Sequence, residues 1–250
     1  MSKAELLRQV EEAGFVFRGR VVGKGAPGVP LAAGEGKAVM VEVEQIVRST
    51  EALRGLVGKQ VVVLSEDRAA LEEGAAFFFF THVVALGDHV VVRESGHMKS
   101  LPQATEEVAE AAKRAEERPL RQRLADAELI VTGAVVGSHR AEEPSVLRSE
   151  HDPEWWIADV QVRSTLKGKK ARAKIEVLFA NSTDIAWYKA PKLHEGAKGA
   201  LLLRRPRADD AVPKAAHAMY QVTDPLDFLP MERLSEVERL LEQEKEKEER

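Results

Sequence analysis

The stretch AGFVFRGRVVG at residues 13–23 returns as AELIVTGAVVG at residues 127–137. An offset of 114 positions lays Ala13, Gly19, Val21, Val22 and Gly23 on Ala127, Gly133, Val135, Val136 and Gly137. The same offset carries Leu6 and Val10 onto Leu120 and Leu124, so the apolar helix face before the strand repeats as well. With a slip of one residue, VRST (47–50) falls on VRST (162–165), each followed by a turn, LRG (53–55) or LKG (166–168). VVVL (61–64) then matches IEVL (175–178), and LEEGA (71–75) matches LHEGA (193–197). Each of the last two leads into a strongly apolar strand, FFFF (77–80) or ALLL (200–203). A shared order of events over this length marks an internal duplication.

Each copy reads as a short helix followed by about five strands. Ser2 and Glu5 have capping-box spacing for a first helix whose Leu6, Leu7 and Val10 form one face. Alternation marks strands at 15–22, 39–47, 61–64, 77–84 and 89–93, then at 129–136, 155–163, 174–179, 200–204 and 219–222. Five short strands with one dominant helix predict a small closed barrel, because closure removes the exposed edges of a short sheet. The fold expected is mainly β with flanking helices: two tandem OB-like five-stranded barrels, at 1–100 and 119–226. A helical linker over 101–118 joins them, with a break at Pro119, and a charged C-terminal helix over 227–250 ends in a frayed, solvated EQEKEKEER.

Four of the eight phenylalanines stand in a row at 77–80. Successive side chains of a strand point to opposite faces, so Phe77 and Phe79 share one side while Phe78 and Phe80 share the other. One pair fills the barrel. The outward pair needs a cover, which can be the unit's own helix, the other unit or a second protein; burying two such side chains is worth about 3–6 kcal/mol.

The formal charge of the 250 residues is −4, so no global positive field draws nucleic acid or an anionic membrane, and any such binding is local. Only the segment 127–226 is net basic. There is no cysteine, which excludes disulfides and thiolate metal sites. The start lacks an apolar signal core, and the longest apolar stretch, near 77–86, is too short to span a bilayer, so a cytosolic protein without a membrane partner is expected.

AELIVTGAVVG, an alternating strand ending in STLKG, then KIEVL and LHEGAKGALLL, together resemble the netrin-module and tissue-inhibitor-of-metalloproteinases type of OB-fold domain. The resemblance covers most of the second copy and, more weakly, the first. It implies a five-stranded barrel with flanking helices that binds rather than catalyses. The metalloproteinase inhibitors of that family chelate zinc through an amino-terminal cysteine; this chain begins with Met1 and has none, so that activity does not carry over.

Catalytic and cofactor patterns are sparse. Gly23, Gly25 and Gly28 fit G-x-G-x-x-G after a strand, but Pro30, Gly34 and Gly36 cannot open the helix that would face a pyrophosphate. His82, His89 and His97 cluster in one hairpin region without spacing that enforces a metal site. His151 and Asp152 could serve a hydrolase, yet no activated nucleophile accompanies them. No cofactor and no metal are expected. The most suggestive constellation is Lys167, Lys169, Lys170 and Arg172 in LKGKKARAK (166–174), together with Trp155, Trp156, Trp187 and Tyr188. A basic loop with stacking rings suits single-stranded nucleic acid on an OB face, although Glu154, Asp159, Glu176 and Asp184 dilute the field. The alternative is that the tryptophans fill the core and the lysines are solvated. The sequence thus predicts a non-enzymatic adaptor that binds another protein, with Phe78 and Phe80 among the contact candidates. Single-strand nucleic-acid binding by the second barrel is the other reading, and a hydrolase the third.

Overall fold

A computed structural model describes residues 1–26, 37–87, 89–141, 153–207, 212 and 217–248. The chain divides into two compact units, Met1–Arg118 and Pro119–Arg250. In the first, helix α1 (Lys3–Glu12) starts at Ser2, whose hydroxyl accepts from the Glu5 N–H at 3.2 Å. The Glu5 carboxylate does not return the bond to the cap but pairs with Arg8 at 2.7 Å. Strands β1 (Phe15–Lys24), β2 (Ala38–Arg48), β3 (Gln60–Leu64), β4 (Ala76–Ala85) and β5 (Val91–Lys99) close a barrel in the order β1-β2-β3-β5-β4. The β3–β5 pair is parallel and the other pairs are antiparallel. Strand β5 runs six residues beyond the expected end at Arg93. Its polar Glu94, Ser95 and His97 hide the alternation, but pairing with β4 continues to Phe77↔Lys99.

The phenylalanine run divides as alternation requires. Phe77 and Phe79 enter the barrel with Phe15 and Phe17, whose rings stack at 4.6 Å, and Phe17 stacks on Phe79 at 5.2 Å. Phe78 and Phe80 point outward and are buried by Leu6 and Val10 of α1 and by Ala104, Val108, Ala111, Ala112 and Ala115 of helix α2 (Pro102–Asp126). The alanines let the helix backbone approach the rings closely. The candidate contact residues Phe78 and Phe80 therefore spend their apolar area inside the unit, and residues 102–118 pack as part of it.

The second unit holds β6 (Leu129–Arg140), β7 (Trp155–Lys167), β8 (Lys174–Ala180), β9 (Lys198–Leu203), β10 (Tyr220–Val222), β11 (Phe228–Pro230) and helix α3 (Leu234–Glu248). Its strand order is β10-β8-β7-β6-β9-β11, with β8–β10 parallel as β3–β5 is. Among the described residues the β9 and β10 ends pair through the isolated Arg204↔Gln221 bridge, where the Gln221 N–H donates to the Arg204 carbonyl at 2.9 Å. The unit is a curled sheet rather than the fully paired barrel expected. The reason is length: β9 has six residues and β10 three, whereas β4 and β5 have ten and nine.

Register carries the duplication further than residue identity does. Between β1 and β2 the pairs include Val16↔Arg48, Gly19↔Val43 and Val21↔Val41, with irregularities after Val16, Arg18 and Val21. Between β6 and β7 they include Ile130↔Lys167, Gly133↔Val162 and Val135↔Val160, with irregularities after Ile130, Thr132 and Val135. Every pair and every bulge recurs. At Gly19 an added Cβ would lie 2.5 Å from Val41 Cγ1, and at Gly133 it would lie 2.7 Å from the Gln161 carbonyl, so both bulged strands need glycine there. One sequence match is corrected: Val43 aligns with Val162, so the two VRST tetrapeptides are not equivalent, and Arg48 aligns with Lys167 instead. These two cations do the same work. Arg48 donates to the carbonyls of Val10, Glu11 and Ala13, and Lys167 to those of Leu124 and Ala125, each closing the C-terminal end of the helix before its barrel.

The outer face of β6 and β9 is covered as that of β1 and β4 is. Ile130, Ala200 and Leu202 lie under Leu120 and Leu124 of α2 and Val237 and Leu240 of α3. Helix α2 runs through Pro119 without the expected break. The roughly 3 kcal/mol cost of an interior proline is offset by burial of Ala115 before it and Leu120 after it. Nor is α3 frayed from Glu242: Arg121 donates to Glu244 at 2.8 Å and to Gln243 at 2.6 Å. No helix among the described residues is long and apolar enough to cross a membrane. Truncating the covered face should be costly in either unit. Phe80→Ala is expected to destabilise the first unit by about 3–5 kcal/mol, read by urea denaturation and circular dichroism. Leu202→Ala should destabilise the second by about 2–5 kcal/mol, read from tryptophan emission, because all three tryptophans lie there.

Candidate functional site

The β2–β3 connection of the first unit contains a 3-10 helix, Glu51–Leu56, with Leu53 and Leu56 buried in the barrel core. In the second unit the matching connection is the short hairpin Gly168–Ala173, with Gly168 at φ +89° and no room for a side chain, since an added Cβ would lie 2.4 Å from the Glu128 carbonyl. The hairpin is too short to plug the barrel and presents Lys169, Lys170 and Arg172 to solvent.

These cations and Lys174 line a cleft of about 650 Å³ together with Arg205 and Tyr220. Arg205 is fixed in place: its backbone N–H and guanidinium donate to Glu128 at 2.9 and 2.7 Å, and the guanidinium lies 5.0 Å from the centre of the Tyr220 ring. Lys174 pairs with Asp159 at 3.1 Å. Lys169, Lys170 and Arg172 make no ion pair among the described residues. Three charges are thus left for a ligand in one concave place, beside a half-buried ring that already carries a cation.

The aromatic half of the expected constellation sits elsewhere. Trp155 is buried on the outer face of β7 with Ile157, Leu178 and Ala180, under Ala190 and Trp187 of the β8–β9 connection. The Trp155 and Trp187 rings meet edge-on at 5.5 Å. Trp156 faces the barrel interior beside Phe179, at 6.5 Å, and its indole N–H donates to Glu154 at 3.2 Å. Only Tyr188, with Lys189 5.6 Å from its ring centre, stands exposed. Lys167 is taken up by the end of α2. Of the residues singled out from sequence, Lys169, Lys170 and Arg172 come together, while the three tryptophans lie in the packing. Arg205, Tyr220, Asp159 and Glu176 complete the cleft. Their charges at outward positions of β7 and β8 were a visible signal, but Arg205 and Tyr220 are joined to them only by the fold.

His82 and His89 are exposed, and among the described residues no cluster of three or more His, Asp or Glu could hold a metal. Gly25 has φ +121° at the end of β1, but Gly28 lies outside the described residues, as do His151 and Asp152. His97 is half-buried at 3.3 Å from Glu94 and edge-on to Phe77 at 5.5 Å, and Glu94 also accepts from the Ser65 hydroxyl. This network joins the β5 strand to the end of β3, where the barrel closes.

The hydrogen bond to Glu94 raises the His97 pKa above the ordinary histidine value of 6.5, against the opposing effect of burial; the Glu94 and Asp67 charges add to the rise. A pKa raised on folding contributes stability that is fully present below the unfolded value and lost as pH rises through the folded one. Stability of the first unit should therefore fall as pH is raised from 6 toward 8, read by urea denaturation and circular dichroism. His97→Gln should flatten that dependence.

A closed five-stranded barrel followed by a curled, barrel-like sheet that bears a basic cleft is the class that fold and site define. No protein-family profile matches the chain, and no curated protein matches it. Among solved structures, one described as "Molecular basis for abrogation of activation of pro-inflammatory cytokines" is 10% identical with a TM-score of 0.22, over 87% of this chain and 94% of that one. The wild-type single-stranded DNA binding protein from Thermus aquaticus is 11% identical with a TM-score of 0.19, over 84% of this chain and 87% of that one. At these values neither likeness decides fold or function, and the architecture rests on the strand order above.

Proposed function

We propose that the second unit binds single-stranded nucleic acid in the cleft between the β7–β8 hairpin and Arg205. The observation that carries this reading is the convergence of Lys169, Lys170 and Arg172, free of ion pairs among the described residues, on a concave site that also holds an Arg205–Tyr220 stack. Cations of this kind take backbone phosphates and release counterions, and an arginine already lying on a ring offers a flat surface to a base. Among the described residues of the first unit the matching connection buries Leu53 and Leu56 in the barrel core, and the outward positions equivalent to Asp159 and Glu176 are the apolar Met40 and Val62. A duplicated fold with one altered copy suits a scaffold in which one barrel binds.

Binding of mixed single-stranded DNA and RNA oligomers at low salt, followed by fluorescence anisotropy, tests this. Affinity should fall about tenfold to twentyfold between 50 and 200 mM salt, as expected for about three phosphates neutralised. Lys169→Glu combined with Lys170→Glu should weaken binding at least about tenfold at 50 mM salt and flatten the salt dependence. Affinity untouched by both changes would rule the reading out.

A protein partner is the second reading, and it includes the netrin-module type of barrel among its possibilities. It is favoured by Ile185 and Tyr188, 85% and 54% exposed in the β8–β9 connection. Co-purification with mass spectrometry should then recover a partner that Ile185→Asp with Tyr188→Asp releases. Both readings suit a cytosolic protein, a placement that rests on the cysteine-free composition.

A further inference from the structure

The floor of the cleft carries an arrangement that a sheet disfavours. Asp159 of β7 and Glu176 of β8 are register partners, two carboxylates directly opposite each other on the outward face, where like charges are destabilising. Lys174 relieves one of them, Asp159, at 3.1 Å. Glu176 is exposed and forms no ion pair among the described residues, although Lys169, Lys170 and Arg172 line the same cleft. The first unit serves as an internal control. By register, the same two positions there are Met40 and Val62, partners across β2 and β3 within an apolar patch. One copy keeps an apolar pair at this place, and the other sets two acids among cations. In a cleft that recognised only phosphate, those acids would oppose the ligand.

The conflict disappears if phosphates lie against the cationic walls and bases turn toward the floor. Resting on the nucleic-acid reading above, we propose that Glu176 reads base edges and makes the cleft prefer cytosine to thymine or uracil. Cytosine presents its N4 amino donor where thymine and uracil present the O4 acceptor. A carboxylate offers only acceptors, so it satisfies N4 and leaves O4 facing a second acceptor with neither partnered. Asp159 is held by Lys174, which leaves Glu176 as the reader.

The comparison of dC12 with dT12 isolates this contact, because the two oligomers share backbone charge and present pyrimidine rings of similar size. Fluorescence anisotropy at 50 mM salt should show dC12 binding at least about fivefold more tightly than dT12. Glu176→Gln carries an amide that can accept from N4 or donate to O4, so the ratio should fall to near one while dT12 binding strengthens. Glu176→Val, which installs the residue type of the first copy, should also remove the preference; unchanged tryptophan emission and urea midpoint confirm that the fold survives. Equal binding of dC12 and dT12 by the unmodified protein, with Lys169→Glu plus Lys170→Glu still weakening both, overturns base reading and leaves the nucleic-acid reading standing. A preference that persists in Glu176→Gln also overturns it. Failure of both oligomers to bind removes the two readings together.

Discussion

In each unit one strand pair is apolar on both faces, and that constraint organises the rest. Inward side chains of β1 and β4 fill the barrel, while Val16, Phe78 and Phe80 face outward and cannot stay in water at an acceptable cost. In the second unit Ile130, Ala200 and Leu202 impose the same demand. A helix before the barrel and a helix after it meet that demand in both copies. Helix α2 supplies the second cover of the first unit with one part of its length and the first cover of the second unit with another. The repeated element is therefore helix, five strands, helix, and the cations Arg48 and Lys167 fasten the first helix of each repeat by its last carbonyls.

Beyond this shared frame the copies diverge in one region. The connection after the second strand holds buried Leu53 and Leu56 in the first unit and a short basic hairpin in the second. The outward pair beside it is Met40 and Val62 in one copy and Asp159 and Glu176 in the other. The connection between the fourth and fifth strands is short in the first unit and long in the second, where it brings Arg205 over Tyr220. All three changes border one cleft. Stability demands none of them, since the first copy closes its barrel without them.

Much of the frame is legible in the sequence because a duplicated barrel prints its glycines and its strand alternation twice. Gly19 and Gly133 mark the bulges, and LEEGA and LHEGA mark the turns before the fourth strands. Local similarity and register disagree at one place. VRST occurs twice by coincidence, since the pairing of Gly19 with Val43 and of Gly133 with Val162 aligns other residues. Pro119 read as a break because its missing N–H is a local fact, whereas the packing that carries the helix through it is tertiary. The tryptophans looked available for stacking because composition cannot tell a ring that covers a sheet from one that meets solvent. In the cleft, the basic hairpin is visible as a run, but Arg205 and Tyr220 join it only through the fold, as does the pairing of Asp159 with Glu176 across β7 and β8.

On the proposed nucleic-acid reading the two copies divide their labour, the second carrying the binding cleft while the described residues at the same place in the first are apolar. Hydrogen–deuterium exchange on the whole chain, with and without a saturating mixed single-stranded oligonucleotide, tests it directly. The account predicts slowed exchange in 168–176 and 218–220, with residues 38–64 of the first barrel unchanged. Protection of 38–64, or none anywhere under conditions where the oligonucleotide is bound, would contradict it.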